Sequence, residues 1–253
     1  MDKKSIDRQN PSFFVFFKEC VGEHNWRLFE KILSHSTIFV YGSINRKFLL
    51  GDINLKDIDL VIDSPILVES LFKNTKFTYN SYGGLKVNLE DKNFDIWNIE
   101  NTWGIKALHL KPTAQDLLKT PFFNHSSIIY NLNKKKFIYS ADFLNYINLN
   151  CLDVVNEINR DSDLCLVNTI KYIMEDHNNI SSRLCKWFLK HYIKPKDYEP
   201  VQLLHWKRVL YSNADINEFY SNLKTRYLHN VIDEFCNRIN NLRGNVDDSQ
   251  NSE

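Results

Sequence analysis

Two aspartates stand one residue apart in Asp57-Ile58-Asp59-Leu60. On an extended strand, alternate residues share a face and lie about 6.5–7 Å apart along the chain, so both carboxylates can aim at one spot. Carboxylates that close repel one another unless a cation sits between them. Magnesium suits the demand, because it takes oxygen ligands and is held by one or two carboxylates together with substrate phosphates. A pair of ions, one stabilising an attacking and one a leaving oxygen, calls for a further acid. Asp95 is the candidate: it is a lone charge in the apolar run Phe94-Asp95-Ile96-Trp97-Asn98-Ile99, where a charge is costly unless paired, exposed or metal-bound. Asp57, Asp59 and Asp95 are therefore the expected metal ligands and catalytic acids, with two Mg²⁺ ions, replaceable by Mn²⁺, as cofactor. Glu90 and Asp91 read as turn residues.

A phosphate cradle precedes the pair in Tyr41-Gly42-Ser43-Ile44-Asn45-Arg46-Lys47-Phe48-Leu49-Leu50-Gly51. Gly42 lets backbone approach a phosphate closely, and Ser43 opens a predicted helix whose free N–H groups favour an anion. Arg46, about one turn further on, carries a planar fork of donors suited to phosphate oxygens. Gly42, Ser43 and Arg46 are the expected nucleotide-binding residues and a nucleoside triphosphate the expected ligand; an exposed helix-surface arginine is the plain alternative for Arg46. Trp97 shares a strand face with Asp95 and could stack on a base, but aromatic residues in strands usually pack into cores.

The elements that must position these groups read as α+β. Apolar residues at helical spacing from Phe13 to Leu33 predict a helix broken near Gly22. Ile38–Tyr41 is a strand, Ile44–Leu50 a short helix, Ile58–Ile62 a second strand, Ile66–Phe72 a helix, and Leu85–Leu89 with Phe94–Ile99 a hairpin. After Pro112, helical periodicity takes over, with candidate helices near 113–119, 141–158, 162–176, 181–193, 200–212 and 215–241, and only Lys136–Tyr139 still reading as a strand. The expected organisation is a flexible stretch 1–10, a mixed head domain 11–140, an all-helical domain 141–243 and a disordered tail 244–253.

In its order of turn, helix, glycine and acids the chain resembles the nucleotidyltransferase superfamily that includes DNA polymerase beta. Within it, the likeness is to the head domain of bacterial poly(A) polymerases and class II CCA-adding enzymes. Gly42-Ser43, Arg46, Leu49-Leu50-Gly51 and Asp57-Ile58-Asp59 match that family's pattern in order and nearly in spacing, and Gly83-Gly84 with Phe94-Asp95-Ile96-Trp97 resembles its third-carboxylate strand. The match spans roughly residues 36–103. It implies a small mixed sheet with flanking helices, followed by a helical domain. It also implies Mg²⁺-dependent transfer of a nucleoside monophosphate from a triphosphate to an acceptor hydroxyl with release of pyrophosphate, with an RNA 3′ end such as that of tRNA as acceptor. Three departures stand out. Lys47 follows Arg46 where the family carries an acid. Thr120-Pro121-Phe122-Phe123-Asn124 replaces its ribose-holding motif, and Ser162-Asp163-Leu164-Cys165-Leu166 its base-reading helix. CCA synthesis is therefore not implied. Nucleotidylation of a protein or small molecule, as in toxin, antitoxin and defence relatives, is one alternative; a catalytically silent nucleotide- or RNA-binding module is another.

The chain has 253 residues, with 43% hydrophobic and 25% charged, and a net charge of +1, so it reads as globular and any pull on nucleic acid must be local. Arg183, Lys186, Lys190 and Lys194 recur at helical spacing, flanked by Trp187 and His191, and form a candidate RNA-binding stripe; a solvated helix face is the plain reading. A regulatory protein partner is left open. Cys20, Cys151, Cys165, Cys185 and Cys236 form no close pair and no zinc pattern, and no apolar run approaches the roughly 20 residues of a membrane helix. The expectation is a cytoplasmic protein with no membrane partner.

Overall fold

The structure, a computed structural model, describes residues 2–52, 57–64, 67–72, 75–90, 92–176 and 178–229. These fall into two compact units, one ending at Asn159 and the other starting at Arg160. The first carries the mixed sheet and the second is mainly helical.

The first unit opens with α1 (Lys3–Arg8), α2 (Asn10–Val21) and α3 (Glu23–Leu33). The stretch read as a flexible N-terminus is thus a helix. Asp2 accepts the Ser5 N–H at 2.9 Å, Ile6 is wholly buried, and the Tyr139 hydroxyl donates to Asp7. Gly22, at φ +84°, makes the expected break between α2 and α3.

Seven strands follow among short helices: β1 (Thr37–Tyr41), α4 (Ser43–Leu49), β2 (Asp57–Asp63), α5 (Val68–Leu71), β3 (Phe77–Tyr79), β4 (Leu85–Leu89), β5 (Lys92–Asn98), α6 (Trp103–Ala107), α7 (Ala114–Leu117), β6 (Ile128–Asn131) and β7 (Lys136–Tyr139). They form one sheet in the order β3-β4-β5-β2-β1-β6-β7. Every neighbour pair is antiparallel except β2 and β5, which run parallel. The β4–β5 hairpin falls where its alternation put it; β3 and β6 carry no comparable local pattern.

One face of the sheet is mostly apolar. Ile38, Val40, Ile58, Leu60, Ile62, Phe94 and Ile96 are all buried there, and Phe29 of α3 meets the Phe94 ring at 5.4 Å. Phe13 of α2 packs on Tyr130 and Phe137 at 4.5 and 4.9 Å between ring centres. The other face is divided. At one end Phe39, Val61, Ile99, Ile105, Leu117, Leu118 and Ile129 form a second apolar cluster; at the other lie the acids.

α8 (Ala141–Leu149) stops well short of the helix expected to 158. Asn150 takes a left-handed conformation, φ +46°, and the chain then pairs back on residues 122–124. Val155 N–H donates to Phe122 O at 2.7 Å, Asn124 N–H to Asp153 O at 2.9 Å, and Asp153 N–H to Asn124 Oδ1 at 3.0 Å. These bonds hold 150–158 in the first unit, so the division falls after 159 and not after 140.

The second unit contains α9 (Ser162–Glu175), α10 (Ser182–His191), α11 (Glu199–Trp206) and a helical run over 213–229. The helix expected to 212 ends at Trp206, with Lys207 left-handed at φ +60°. Buried Gln202 accepts the N–H groups of Leu210 and Tyr211 and donates to Tyr211 O. Asp91, Ile66, Cys236, the expected helix beyond 229 and the expected tail lie outside the described residues. The cysteines that are described are all free thiols. No described helix is long and apolar enough to cross a membrane.

Candidate active site

β1 delivers the chain to Gly42, whose backbone lies at φ +76° and ψ −158°. The glycine is required for a reason beyond phosphate approach. A Cβ built there would stand 2.2 Å from Asp59 Oδ2 and 3.2 Å from its Cγ, so the side chain of Asp59 occupies the space that any other residue would need. Asn45, fully buried, ties α4 to the strand by donating from Nδ2 to Val40 O at 2.9 Å. Ser43 is exposed at the start of α4. Arg46 is buried, 7% exposed, and so is not the helix-surface arginine of the plain reading. Lys47 is paired with Asp52 at 3.3 Å at the far end of the helix.

The three acids come together through strand register. Asp57 and Asp59 alternate along β2, and Asp59 lies opposite Asp95 in the parallel β2–β5 pair. All three side chains therefore belong to one face, Asp57 exposed and the other two partly buried. Burial pushes the Asp59 carboxyl up to about 7, reinforced by the negative charges of Asp95 and Asp57 and opposed by Lys86. Asp95 is also raised, first by burial; Lys86, opposite it in β4, and the Asn80 side chain pull the other way.

Asp95 Oδ1 is buried without a hydrogen bond. Among the described residues no three His, Cys, Asp or Glu side chains are drawn close enough to hold an ion as they stand. What the backbone secures is the common face and the shared field. The donor set nevertheless suits a hard divalent cation: it is all carboxylate oxygen, desolvated at Asp59 and Asp95 and unpartnered at Asp95 Oδ1, and such a set is relieved by positive charge.

Beside the acids lies a cavity of about 380 Å³. Asp59 and Asp95 line it together with the rings of Tyr41, Tyr82, Trp97, Trp103 and Phe122. The Trp97 indole is partly buried, as its strand position suggests, meets Tyr41 edge-on at 5.7 Å and donates from Nε1 to Thr102 Oγ1 at 2.9 Å. Thr120 donates to Leu117 O, so the Tyr41 hydroxyl, 3.0 Å away, is the donor to Thr120 Oγ1. Gly104 packs so tightly on Thr120 that a Cβ would meet it at 2.5 Å. This wall is built from residues 97–122 together with Tyr41 and Tyr82.

A glycine turn, a parallel β2–β5 pair carrying acids at matched positions, and a mixed sheet with flanking helices make up the nucleotidyltransferase fold, close to that of the CCA-adding enzymes. Solved structures carry the same architecture. A CCA-adding enzyme in complex with CTP superposes with a TM-score of 0.59 at 14% identity, over 83% of this chain and 54% of that one. A tRNA-processing enzyme in an apo form gives 0.57 at 13%, over 81% and 57%. A tRNA nucleotidyltransferase complexed with a primer tRNA and an incoming ATP analogue gives 0.52 at 12%, over 75% and 58%. The chain spans little more than half the length of these proteins. No protein-family model matches the sequence, and no curated protein does.

In the second unit, Arg183, Lys186, Lys190 and Lys194 are all exposed on or just after α10. Trp187, expected alongside them, is 3% exposed with His191 stacked on it at 4.3 Å, which removes it as a platform for a base. Sequence reasoning missed Asn45, Asn80, Lys86 and the Tyr41–Thr120 pair. Of these, only Asn80 carried a local signal, an asparagine shortly before Gly83-Gly84, which is turn chemistry.

Proposed function

We propose that the chain is a divalent-cation-dependent nucleotidyltransferase that moves a nucleoside monophosphate from a nucleoside triphosphate to an acceptor hydroxyl, and that the acceptor is an RNA 3′ end such as that of tRNA. The observation that carries this reading is the matched placement of Asp59 and Asp95 on neighbouring strands, with Asp57 on the same face and the Gly42 turn against Asp59. The nucleotidyltransferase fold and the company of enzymes that handle tRNA and nucleotides support it.

In the reaction, the acceptor oxygen bonds to the α-phosphorus and the bond from that phosphorus to the bridging oxygen breaks. Pyrophosphate leaves and the hydroxyl proton passes to solvent. Asp57, Asp59 and Asp95 would hold Mg²⁺, which when bound neutralises charge on the phosphates and favours the ionised acceptor. Gly42 and Ser43 offer backbone and hydroxyl groups to the β and γ phosphates, with Arg46 behind them. The cavity takes the nucleoside between its aromatic walls, where stacking on one ring is worth about 1–3 kcal/mol. The protein contributes mainly positioning and fixed charge.

The test is incubation with each α-labelled nucleoside triphosphate, Mg²⁺ and a total cell extract, followed by RNase or protease. Label removed by RNase is the expected result. Label removed only by protease assigns the acceptor to protein, and absence of label in any macromolecule or small product overturns the transferase reading.

A further inference from the structure

Tyr82 stands in the turn between β3 and β4, and that turn is closed by four hydrogen bonds within five residues. Asn80 N–H donates to Gly84 O at 2.8 Å and Gly83 N–H to Asn80 O at 3.0 Å, while the Asn80 side-chain oxygen accepts the N–H groups of Tyr82 and Gly84, each at 2.9 Å. Gly83, at φ +83°, reverses the chain directly after the tyrosine. A backbone held in this way fixes the direction in which the Tyr82 side chain leaves the turn.

That side chain lines the cavity beside the acids and yet stays 48% exposed. Three of the other rings there are packed in place. Tyr41 and Trp97 meet edge-on and are tied through hydroxyl and indole N–H to Thr120 and Thr102; Phe122 is buried and meets Phe123 edge-on at 4.6 Å. Tyr82 approaches from the far end of the floor: from Gly84, just ahead of β4, to Tyr41 on β1 the cavity crosses three strand spacings, about 14 Å. Asp59 and Asp95 lie in register on the two strands between. A half-exposed ring on a stiff turn, over a floor that carries acids, presents an aromatic face to a flat ligand and loses little further freedom in holding it.

We propose that Tyr82 is a ligand-binding residue: its ring is the platform on which the base of the incoming nucleoside triphosphate stacks while the phosphates reach the acids. This rests on the transferase reading for the identity of the ligand. It adds which ring takes the base, and that the contact is made through the face of the base, which purines and pyrimidines share.

Calorimetry on the full chain with Mg²⁺ and three probes tests this: the α,β-methylene analogues of ATP and CTP, which cannot be turned over at the α-phosphate, and inorganic tripolyphosphate, which has no base. Tyr82→Ala should weaken both analogues by about 5–150-fold, Tyr82→Phe should bind them as wild type does, and tripolyphosphate should bind equally to all three proteins. In transfer assays the Ala variant should raise KM for the nucleotide and keep kcat.

Unchanged affinity of Tyr82→Ala for both analogues overturns the proposal. An equal loss for tripolyphosphate also overturns it, because Tyr82 then maintains the shape of the site and does not hold a base. So does a loss that Phe fails to restore, or one confined to a single analogue, since the hydroxyl or a base edge is then what is read. A wild-type chain that binds the analogues but transfers no nucleotide defeats the transferase reading and leaves Tyr82 to be judged by its variants. A wild-type chain that binds none of the three probes defeats both.

Discussion

Phe39 faces Val61 across β1 and β2, and two residues along the same strands Tyr41 faces Asp59. The backbone geometry of the two pairs is alike, yet the chemistry is opposite. Phe39 and Val61 disappear into an apolar cluster with Leu117, Leu118 and Ile129, where each buried side chain adds stability. Asp59 is desolvated beside two like charges, an arrangement that costs stability and is kept at the open end of the sheet. One end of the face holds the sheet rigid, and that rigidity is what keeps three mutually repelling groups in register at the other.

The largest expected effect breaks the contrast at its functional end. Asp59→Asn should lower nucleotide transfer by about 10²–10³-fold, the scale of one lost charge-stabilising group, while thermal denaturation at neutral pH shows a raised melting temperature, since a buried like charge is removed. A lower melting temperature would mean that Asp59 serves the fold instead.

Leu117→Ala probes the other end. Leu117 is wholly buried, and truncation should cost about 2–5 kcal/mol in denaturant unfolding, with kcat per folded molecule unchanged. Gly42→Ala lies between the two, because it strains a backbone conformation that glycine alone adopts freely, by roughly 1–3 kcal/mol, and also pushes its methyl onto the Asp59 carboxylate. It should therefore reduce both stability and transfer, and a variant that lost stability alone would separate the turn from the acid.

The smallest effect is expected of Lys47→Ala. Its partner Asp52 is half exposed, and such surface pairs contribute about 0–1 kcal/mol. Stability should shift within that range and transfer should not change. A large loss of transfer would place Lys47 at the phosphates after all.

Much of the site was legible locally. The spacing of Asp57 and Asp59 commits both to one face of whatever strand they form, and Gly42-Ser43 before a short apolar helix marks a strand–turn–helix, because alternation and turn chemistry act over a few residues. Asp95 could be singled out as a charge in an apolar run. That it stands opposite Asp59 depends on β5 lying parallel beside β2, and nothing within either strand specifies its neighbour. The same holds for Gly42, whose Cβ space is taken by a residue seventeen positions later.

Periodicity also failed where long-range hydrogen bonds outweighed it. Residues 150–158 read as helix but pair with 122–124, and residues 3–8 read as a loose end but are held by Asp2 and the burial of Ile6. By itself the sequence determined which groups are chemically capable and how neighbours along the chain point, since those follow from short-range sterics. Only the tertiary structure decided which of them meet, because strand pairing and desolvation are set by contacts between residues far apart in the chain.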